Sequence, residues 1–180
     1  MNDVPTEWNL RYEAWIIGDG EPHRSVGDIF DWFTVEFWSH EGLVNTAEKS
    51  KSAIALPEFE YRVCAEVIYL SEEDCVLDFG IWAGGYRSNL PVSCQQGNYV
   101  SGKIGLGLPA IALAPDEFLK GYQWRVNRIF ADLTPDSAET SMPDGSRARY
   151  RNVDSTKSVG AQSYILHCSE IGFPHLKTPV

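Results

Sequence analysis

The sequence predicts a single mainly-β domain over residues 1–180, a β-barrel or sandwich of about seven strands with one short helix. Its 180 residues suit one domain with a full hydrophobic core. Hydrophobic residues make up 43% and charged residues 22%, the balance of a globular protein. Runs of alternating apolar and polar residues are separated by turn-forming residues along most of the chain, as in all-β domains.

The first two predicted strands are rich in aromatic residues. The first covers Trp8–Ile17 and ends at the turn Gly18–Pro22. The second covers Ile29–Ser39, and its even-numbered side chains would share one face. That face holds Phe30, Trp32, Thr34, Glu36 and Trp38, and the other holds Ile29, Asp31, Phe33, Val35 and Phe37. Both faces are mostly apolar, so the strand is either central or has an exposed aromatic face.

The clearest period-two pattern lies in the middle of the chain. Residues 40–57 lose the alternation and predict a loop with a short helix. Glu58–Leu70 alternates throughout, and a polar turn at Ser71–Asp74 leads to a further strand at Cys75–Ala83. A loop over Gly84–Asn98 follows, with Gly and Pro residues as breakers.

The remaining elements are predicted from the same signals. They are a Gly-rich strand at Tyr99–Leu108, a helical turn at Pro115–Gly121, a long strand at Tyr122–Leu133, a loop at Thr134–Ser146, a weak strand at Ala148–Val153, a last strand at Ala161–Ile171 and a tail at Phe173–Val180.

The central region resembles OB-fold barrels. The runs YRVCAEVIYL and CVLDFGIWA form a strand, a tight turn and a strand, and a loop carrying LPV then leads to GNYVSGKIGLGL. Many OB-like barrels place a strand of the type G-x-x-V-x-G-x-I after such a loop. The resemblance covers residues 61–108 and implies a five-stranded barrel, with the strands of residues 8–39 as an N-terminal extension.

No stretch of the sequence carries a catalytic, cofactor or metal signature. Lys103 is followed by Ile104, so the glycines at 102–107 do not form a P-loop and instead predict a strand with tight curvature or close packing. The four histidines lack metal-ligand spacing, and the oxygen-rich turn at 18–23 supplies too few ligands for a cation. We therefore predict no catalytic residue, cofactor or metal, although the many scattered carboxylates are compatible with an enzyme.

Charge and cysteine content bear on partners and location. A net charge of −10 opposes binding to nucleic-acid phosphates and attracts basic proteins. The N-terminus lacks a signal-peptide pattern, and no apolar run is long enough for a membrane helix. The four cysteines have no paired spacing, so we expect free thiols and a cytoplasmic protein with no membrane partner.

The most informative feature is the mixture of rings and carboxylates in residues 29–38. We predict that one face of this strand binds a protein partner, with Trp32 as anchor and Asp31 or Glu36 as steering charge. The predicted surface consists of Phe30, Asp31, Trp32, Glu36 and Trp38. Two alternatives remain open: the N-terminal strand or the tail covers this face, or the face forms a homodimer contact.

Three functions follow from these observations. The first is a non-enzymatic binding protein that docks a basic partner, and the chain's general layout is similar to small acidic immunity proteins that neutralise bacterial toxins. The second is an OB-like module that binds single-stranded nucleic acid or a small ligand through aromatic stacking, which the charge disfavours. The third is an enzyme that uses carboxylates.

Overall fold

The computed structural model describes residues 4–32, 34–109, 114–118, 121–133 and 149–172. They form a mainly-β fold, as predicted, with twelve strands and one short α-helix. The elements are β1 (Glu7–Glu13), α1 (Ala14–Gly18), β2 (Ile29–Trp32), β3 (Val35–Trp38), β4 (Val44–Thr46), β5 (Ser52–Ala55), β6 (Tyr61–Leu70), β7 (Asp74–Asp78), β8 (Trp82–Tyr86), β9 (Tyr99–Gly107), β10 (Tyr122–Asp132), β11 (Tyr150–Val153) and β12 (Ser163–Gly172). Single 3₁₀ turns lie at Pro57–Phe59, Arg87–Asn89 and Asp116–Phe118.

Five strands close into a barrel in the order β6, β7, β8, β3, β9 and back to β6. The pair of β3 with β8 is parallel, and the other four pairs are antiparallel. Residues 61–108 supply four of these strands, and β3, from the expected N-terminal extension, supplies the fifth. The alternation of β6 places Tyr61, Val63 and Val67 in the barrel interior, where each is at most 1% exposed.

The other long strands form an antiparallel sheet beside the barrel. β10 pairs with β12, and β12 pairs with β1. β2 and β11 lie one after the other along the opposite edge of β10. This sheet joins the barrel where Arg11 of β1 pairs in parallel with Gly107 of β9. β9 is therefore common to the barrel and the second sheet.

The barrel and the second sheet share one hydrophobic core. The ring of Trp8, on β1, lies 5.2 Å from the ring of Tyr61 and 5.9 Å from that of Phe79. The Asn9 backbone N–H donates a hydrogen bond of 2.6 Å to the Tyr61 hydroxyl. Large buried rings remove roughly 150–250 Å² of surface each from water, so these contacts dominate the attachment of the sheet to the barrel.

The first predicted strand is shorter than expected. β1 ends at Glu13, opposite Ser163, because its partner β12 begins there. Residues Ala14–Gly18 then form α1 instead of continuing the strand to Ile17. Without a partner strand the backbone satisfies its hydrogen bonds locally, which a short helix does.

The predicted strand over Ile29–Ser39 is two strands. β2 pairs with β10 of the second sheet, whereas β3 pairs with β8 and β9 of the barrel. Phe30 and Trp32 face the core in β2, but Val35 and Phe37 do so in β3. The inward-facing positions thus change from even to odd between the two strands, which the prediction of one continuous strand missed.

Other differences are local. Residues 40–57 contain β4 and β5 in place of an α-helix, and a single 3₁₀ turn begins at Pro57. The predicted strand Cys75–Ala83 is divided between β7 and β8 by a turn, where Gly80 adopts a φ of +118°. The predicted helical turn begins as a 3₁₀ turn at Asp116–Phe118. The predicted loop Thr134–Ser146 and the tail Phe173–Val180 lie outside the described residues.

All four cysteines are free and buried, in agreement with the expectation from their spacing. Cys75 pairs with Leu70 across the β6–β7 hairpin. Among the described residues, no helix is long and apolar enough to cross a membrane.

Candidate functional site

The two aromatic side chains that β2 contributes to the predicted surface are buried. Phe30 is 6% exposed and Trp32 is 8% exposed. The ring of Trp32 lies edge-on to that of Tyr12 at 6.2 Å, and its indole N–H donates to the Pro109 carbonyl at 3.2 Å. The expectation that Trp32 is an exposed anchor is therefore wrong. Tyr12 belongs to β1, so the N-terminal strand contributes to covering this face, which was one of the alternatives.

Asp31 does not join the other predicted residues. Its side chain is exposed on the opposite side of β2 and accepts a hydrogen bond of 2.9 Å from the Gln123 amide. Phe30 and Trp32 lie together in the core, with ring centres 6.2 Å apart, and Glu36 and Trp38 lie together on the outer face of β3.

The indole of Trp38 rests on two glycines of β9. A Cβ atom built on Gly105 would lie 2.4 Å from the indole ring, and one built on Gly107 would lie 3.1 Å from it. Any larger side chain at Gly105 would displace the ring. The glycines that resembled a phosphate loop therefore allow close packing of Trp38 against β9, as the interpretation of a Gly-rich strand predicts.

Gly107 also separates two charged residues from neighbouring strands. It pairs with Glu36 of β3 on one side and with Arg11 of β1 on the other. The edge of the Trp38 indole and Arg11 both lie close to Gly107, and a cavity of about 370 Å³ lies beside them. Its lining residues are Arg11, Glu13, Glu36, Trp38, His40, Gly107, Leu108 and Arg149.

Two further cavities are lined by Arg11 and Arg149 as well, and with the first they form what we call the acidic groove. One, of about 80 Å³, adds Glu58, Phe59, Glu60 and Tyr150, among other residues, and the other, of about 300 Å³, adds Asp132 and Ser163. Five carboxylates and two arginines line the acidic groove, which gives these side chains a net charge of −3.

Asp132 contacts both arginines of the acidic groove. Its carboxylate forms two bonds with the guanidinium of Arg149, at 3.0 and 3.3 Å. It also lies 3.4 Å from the Arg11 guanidinium, whose Nη1 donates to the Ser163 hydroxyl at 3.1 Å. The distance from Arg11 to Glu13 is longer, at 3.9 Å. Arg11 and Arg149 are thus held mainly by Asp132.

Glu36 is a half-buried carboxylate of the acidic groove with no partner among the described residues. Among the described residues, its side chain forms neither a hydrogen bond nor an ion pair, although it is half-buried. Burial raises the pKa of Glu36, and the negative charge of Glu13 raises it further. Burial also raises the pKa of Glu13, against the opposing effect of Arg11. The two carboxylates therefore repel each other in a partly desolvated site.

The rim of the acidic groove contains strained backbone. Glu58 and Phe59 have φ angles of 61° and 64°, in the left-handed region that side chains other than glycine rarely adopt. The ring of Phe59 packs against Phe130 at 5.0 Å and Tyr150 at 4.8 Å. These contacts hold the strained turn in place, and such strain is concentrated at ligand-binding and catalytic sites.

Sequence reasoning found Glu36 and Trp38 but did not single out Arg11 or Glu13 as site residues. Two signals were present: residues 8–13 alternate, which places Arg11 and Glu13 opposite the buried rings of β1, and the glycines at 105 and 107 share one face of β9. The pairing that brings these faces together was not visible in the sequence.

The carboxylates and the Trp38 ring of the acidic groove are suited to binding a cationic group that can also pack on an aromatic ring. Alternatively, Glu13 and Glu36 could carry out acid–base chemistry. Among the described residues, no group of three or more His, Cys, Asp or Glu side chains is placed to hold a metal ion. No protein-family model, no curated protein and no solved structure matches this chain.

Proposed function

We propose that this chain is a binding protein that docks a basic protein partner through the acidic groove. The observation that carries the proposal is Glu36, a half-buried carboxylate with no described partner beside the indole of Trp38. The acidic groove offers negative charge and an aromatic surface together, which is the combination that anchors a basic side chain.

The energetics favour a cationic ligand. A partly buried carboxylate without a counter-ion destabilises the folded protein, because it loses water without gaining a replacement bond. A cation from a partner would supply that bond, and the repulsion between Glu13 and Glu36 would fall. The protein's charge of −10 would also accelerate the approach of a basic partner.

The proposal keeps the function predicted from the sequence and changes its anchor. Trp38 takes the place of Trp32 as the anchoring ring, since Trp38 is half-buried beside a cavity whereas Trp32 is in the core. An immunity-type protein that neutralises a basic toxin is the form of this function that we favour. We further propose a cytoplasmic location, with which the four free, buried thiols are compatible.

The test is an affinity capture from the native cell with matched variants. Immobilised wild-type protein is compared with Glu36→Gln and with Glu72→Gln, which removes the same charge from an exposed turn far along the chain. We expect a basic protein to be retained by wild type and by Glu72→Gln, and lost by Glu36→Gln. Mass spectrometry identifies the retained protein.

Equal retention by all three proteins would contradict the proposal, as would capture of acidic or neutral proteins alone. Sedimentation of the purified chain addresses the homodimer alternative. A dimer of wild type that Trp38→Ala dissociates would mean that the acidic groove binds a second copy of the chain.

A second candidate is an enzyme that uses Glu13 and Glu36. Two neighbouring carboxylates with raised pKa values in a cavity are typical of acid–base sites. With an aromatic surface beside them, the reaction class that they favour is glycoside hydrolysis. Release of nitrophenol from a panel of nitrophenyl glycosides, abolished in both Glu13→Gln and Glu36→Gln, would support this candidate over docking.

The resemblance to OB-folds stays a hypothesis. Its support is a closed barrel of five strands, to which residues 61–108 contribute four. Binding of single-stranded nucleic acid is disfavoured, because the carboxylates of the acidic groove would repel phosphates. We expect no measurable binding of a single-stranded oligonucleotide at physiological salt, and salt-sensitive binding would favour the OB-like function instead.

A further inference from the structure

We infer that the acidic groove receives an arginine side chain of the partner, which stacks on Trp38 and bonds Glu36 and Glu13. The inference rests on the proposed docking function and adds which side chain enters the groove. It comes from a comparison of two carboxylate–aromatic pairs on the same outer face of the protein.

The first pair already holds an arginine. Asp132 of β10 lies directly opposite Tyr150 of β11. The guanidinium of Arg149 lies 5.0 Å from the Tyr150 ring centre while its two N–H groups bond Asp132 at 3.0 and 3.3 Å. Stacking and a two-bond contact with a carboxylate are thus combined on one side chain.

The second pair has the same chemistry, and none of the described arginines bonds its carboxylate. Glu36 and Trp38 project from the same face of β3, and both line the 370 Å³ cavity. Arg11 lies 5.9 Å from the centre of the Trp38 ring, at the outer limit of such contacts, and its polar contacts go to Asp132, Ser163 and Glu13. None goes to Glu36.

The volume of the cavity suits a long side chain. Gly107 is among its lining residues, and a Cβ atom there would lie 3.1 Å from the Trp38 ring and 3.6 Å from the Arg11 Cβ, so a larger residue would crowd the cavity. A volume of about 370 Å³ lies within the range of small-ligand pockets, about 300–1,000 Å³. A guanidinium in this cavity would therefore lie beside the Trp38 indole, with Glu36 of one strand and Glu13 of another among the lining side chains.

Arginine fits this arrangement better than lysine. The guanidinium is planar, stacks on indole rings and can donate to two carboxylates at once, whereas an ammonium is compact and strongly hydrated. The protein's own cation–aromatic contacts among the described residues are all made by arginines, with Arg24 over Phe30 at 4.3 Å as the closest.

The experiment compares three peptides that differ in one side chain. They are N-acetyl-Gly-Arg-Gly-amide, its lysine counterpart and its citrulline counterpart, which keeps the shape of arginine but carries no charge. Binding to the full chain is followed by the indole N–H resonance of Trp38 in NMR spectra, assigned from its absence in Trp38→Phe. We expect the arginine peptide to shift this resonance and to bind about fivefold or more tightly than the lysine peptide. Citrulline should leave the resonance unchanged.

Two variants connect binding to the residues. Glu36→Gln should weaken binding of the arginine peptide about tenfold or more, because the charged partner of the guanidinium is lost. Glu72→Gln, with the same change of charge on an exposed turn, should leave it unchanged. The melting curve of Glu36→Gln, compared with that of wild type, checks that the fold is intact.

The failure of this inference is distinguishable from failure of the docking function. Equal shifts by the arginine and lysine peptides would overturn the choice of arginine while capture of a basic partner still supports docking. An unchanged Trp38 resonance, or equal binding by citrulline, would overturn the inference altogether. Loss of partner capture in Glu36→Gln remains the separate measure of the docking function.

Discussion

Trp32 and Trp38 lie six residues apart in a segment with nearly continuous apolar and aromatic character, and their surroundings are opposite. Trp32 is 8% exposed, packs against Tyr12 and donates a hydrogen bond to the Pro109 carbonyl. Trp38 rests on Gly105 and Gly107 and lines a cavity with Glu36. Tryptophan thus packs in the core from β2 and lines a surface cavity from β3, because the two strands pair with different neighbours.

The largest expected effect is a difference in stability between alanine variants of the two tryptophans. Trp32→Ala should lower the free energy of unfolding by about 3–5 kcal/mol, the usual cost of emptying a ring-sized site in a core. Trp38→Ala should lower the free energy of unfolding by less than half as much. Its ring is half-buried and packs on glycines, so removing the ring leaves no enclosed cavity between side chains. Urea unfolding of the two variants and wild type measures both changes.

Trp38→Ala should instead impair capture of the basic partner, since a buried anchor ring typically contributes about 2 kcal/mol or more to binding. If the two variants lose equal stability, Trp38 is a core residue and the contrast between β2 and β3 is false.

A second pair of variants tests the two sides of the barrel wall. A Cβ atom on Gly85 would lie 2.4 Å from the ring of Phe37, which is fully buried inside the barrel. Gly85→Ala should therefore cost about 1–3 kcal/mol through overpacking. At Gly105 the same change meets the ring of Trp38 at 2.4 Å, outside the barrel. We expect a smaller loss there, because a half-buried ring can move toward solvent.

Thermal unfolding of Gly85→Ala and Gly105→Ala measures this difference. Gly105→Ala should also shift the fluorescence of Trp38, recorded as the difference from the same glycine variant carrying Trp38→Phe. An equal loss of stability in Gly85→Ala and Gly105→Ala would contradict this expectation. It would mean that the Trp38 ring outside the barrel is held as firmly as the Phe37 ring inside it.

The smallest effects concern the charges, and their pH dependence has opposite signs in the acidic groove and outside it. Burial raises the pKa of Glu36 above its usual value of 4.5, so the folded protein holds this proton more tightly than the unfolded chain. Stability from this group is therefore present below pH 4.5 and is lost as the pH rises through the raised pKa. Glu36→Gln should match wild type near pH 4 and be slightly more stable than wild type near pH 7.

Glu7, outside the acidic groove, gives the matched control of opposite sign. A hydrogen bond of 2.8 Å to His167, and the charge of that ring, lower the pKa of Glu7 below 4.5. Its contribution to stability is present above pH 4.5 and is lost as the pH falls through the lowered pKa. Glu7→Gln should be slightly less stable than wild type near pH 5.5, with the difference shrinking on acidification. Urea unfolding at several pH values measures the stability of each variant relative to wild type. If this difference changes with pH in the same direction for Glu36→Gln and Glu7→Gln, the opposite pKa shifts assigned to Glu36 and Glu7 are wrong.

The local pattern was enough to predict the fold class and most of the long strands. The alternation over 58–70 placed β6 within three residues of its start, and the glycines at 105 and 107 were correctly interpreted as a packing feature of a strand. Side-chain alternation is a property of the strand itself, so a local sequence is enough to show it. The same alternation in residues 8–13 separates the buried rings of β1 from Arg11 and Glu13.

Tertiary structure decided the site. No local signal showed that the inward-facing positions change between Trp32 and Val35, because that change follows from pairing with β10 before it and with β8 and β9 after it. The same pairing sets Glu36 across Gly107 from Arg11, although these residues are far apart in the sequence. The sequence therefore shows which residue types are available for the acidic groove. Whether they meet on one face depends on strand pairing between distant segments. A shift of one residue in that pairing would move every side chain of the strand to the opposite face of the sheet.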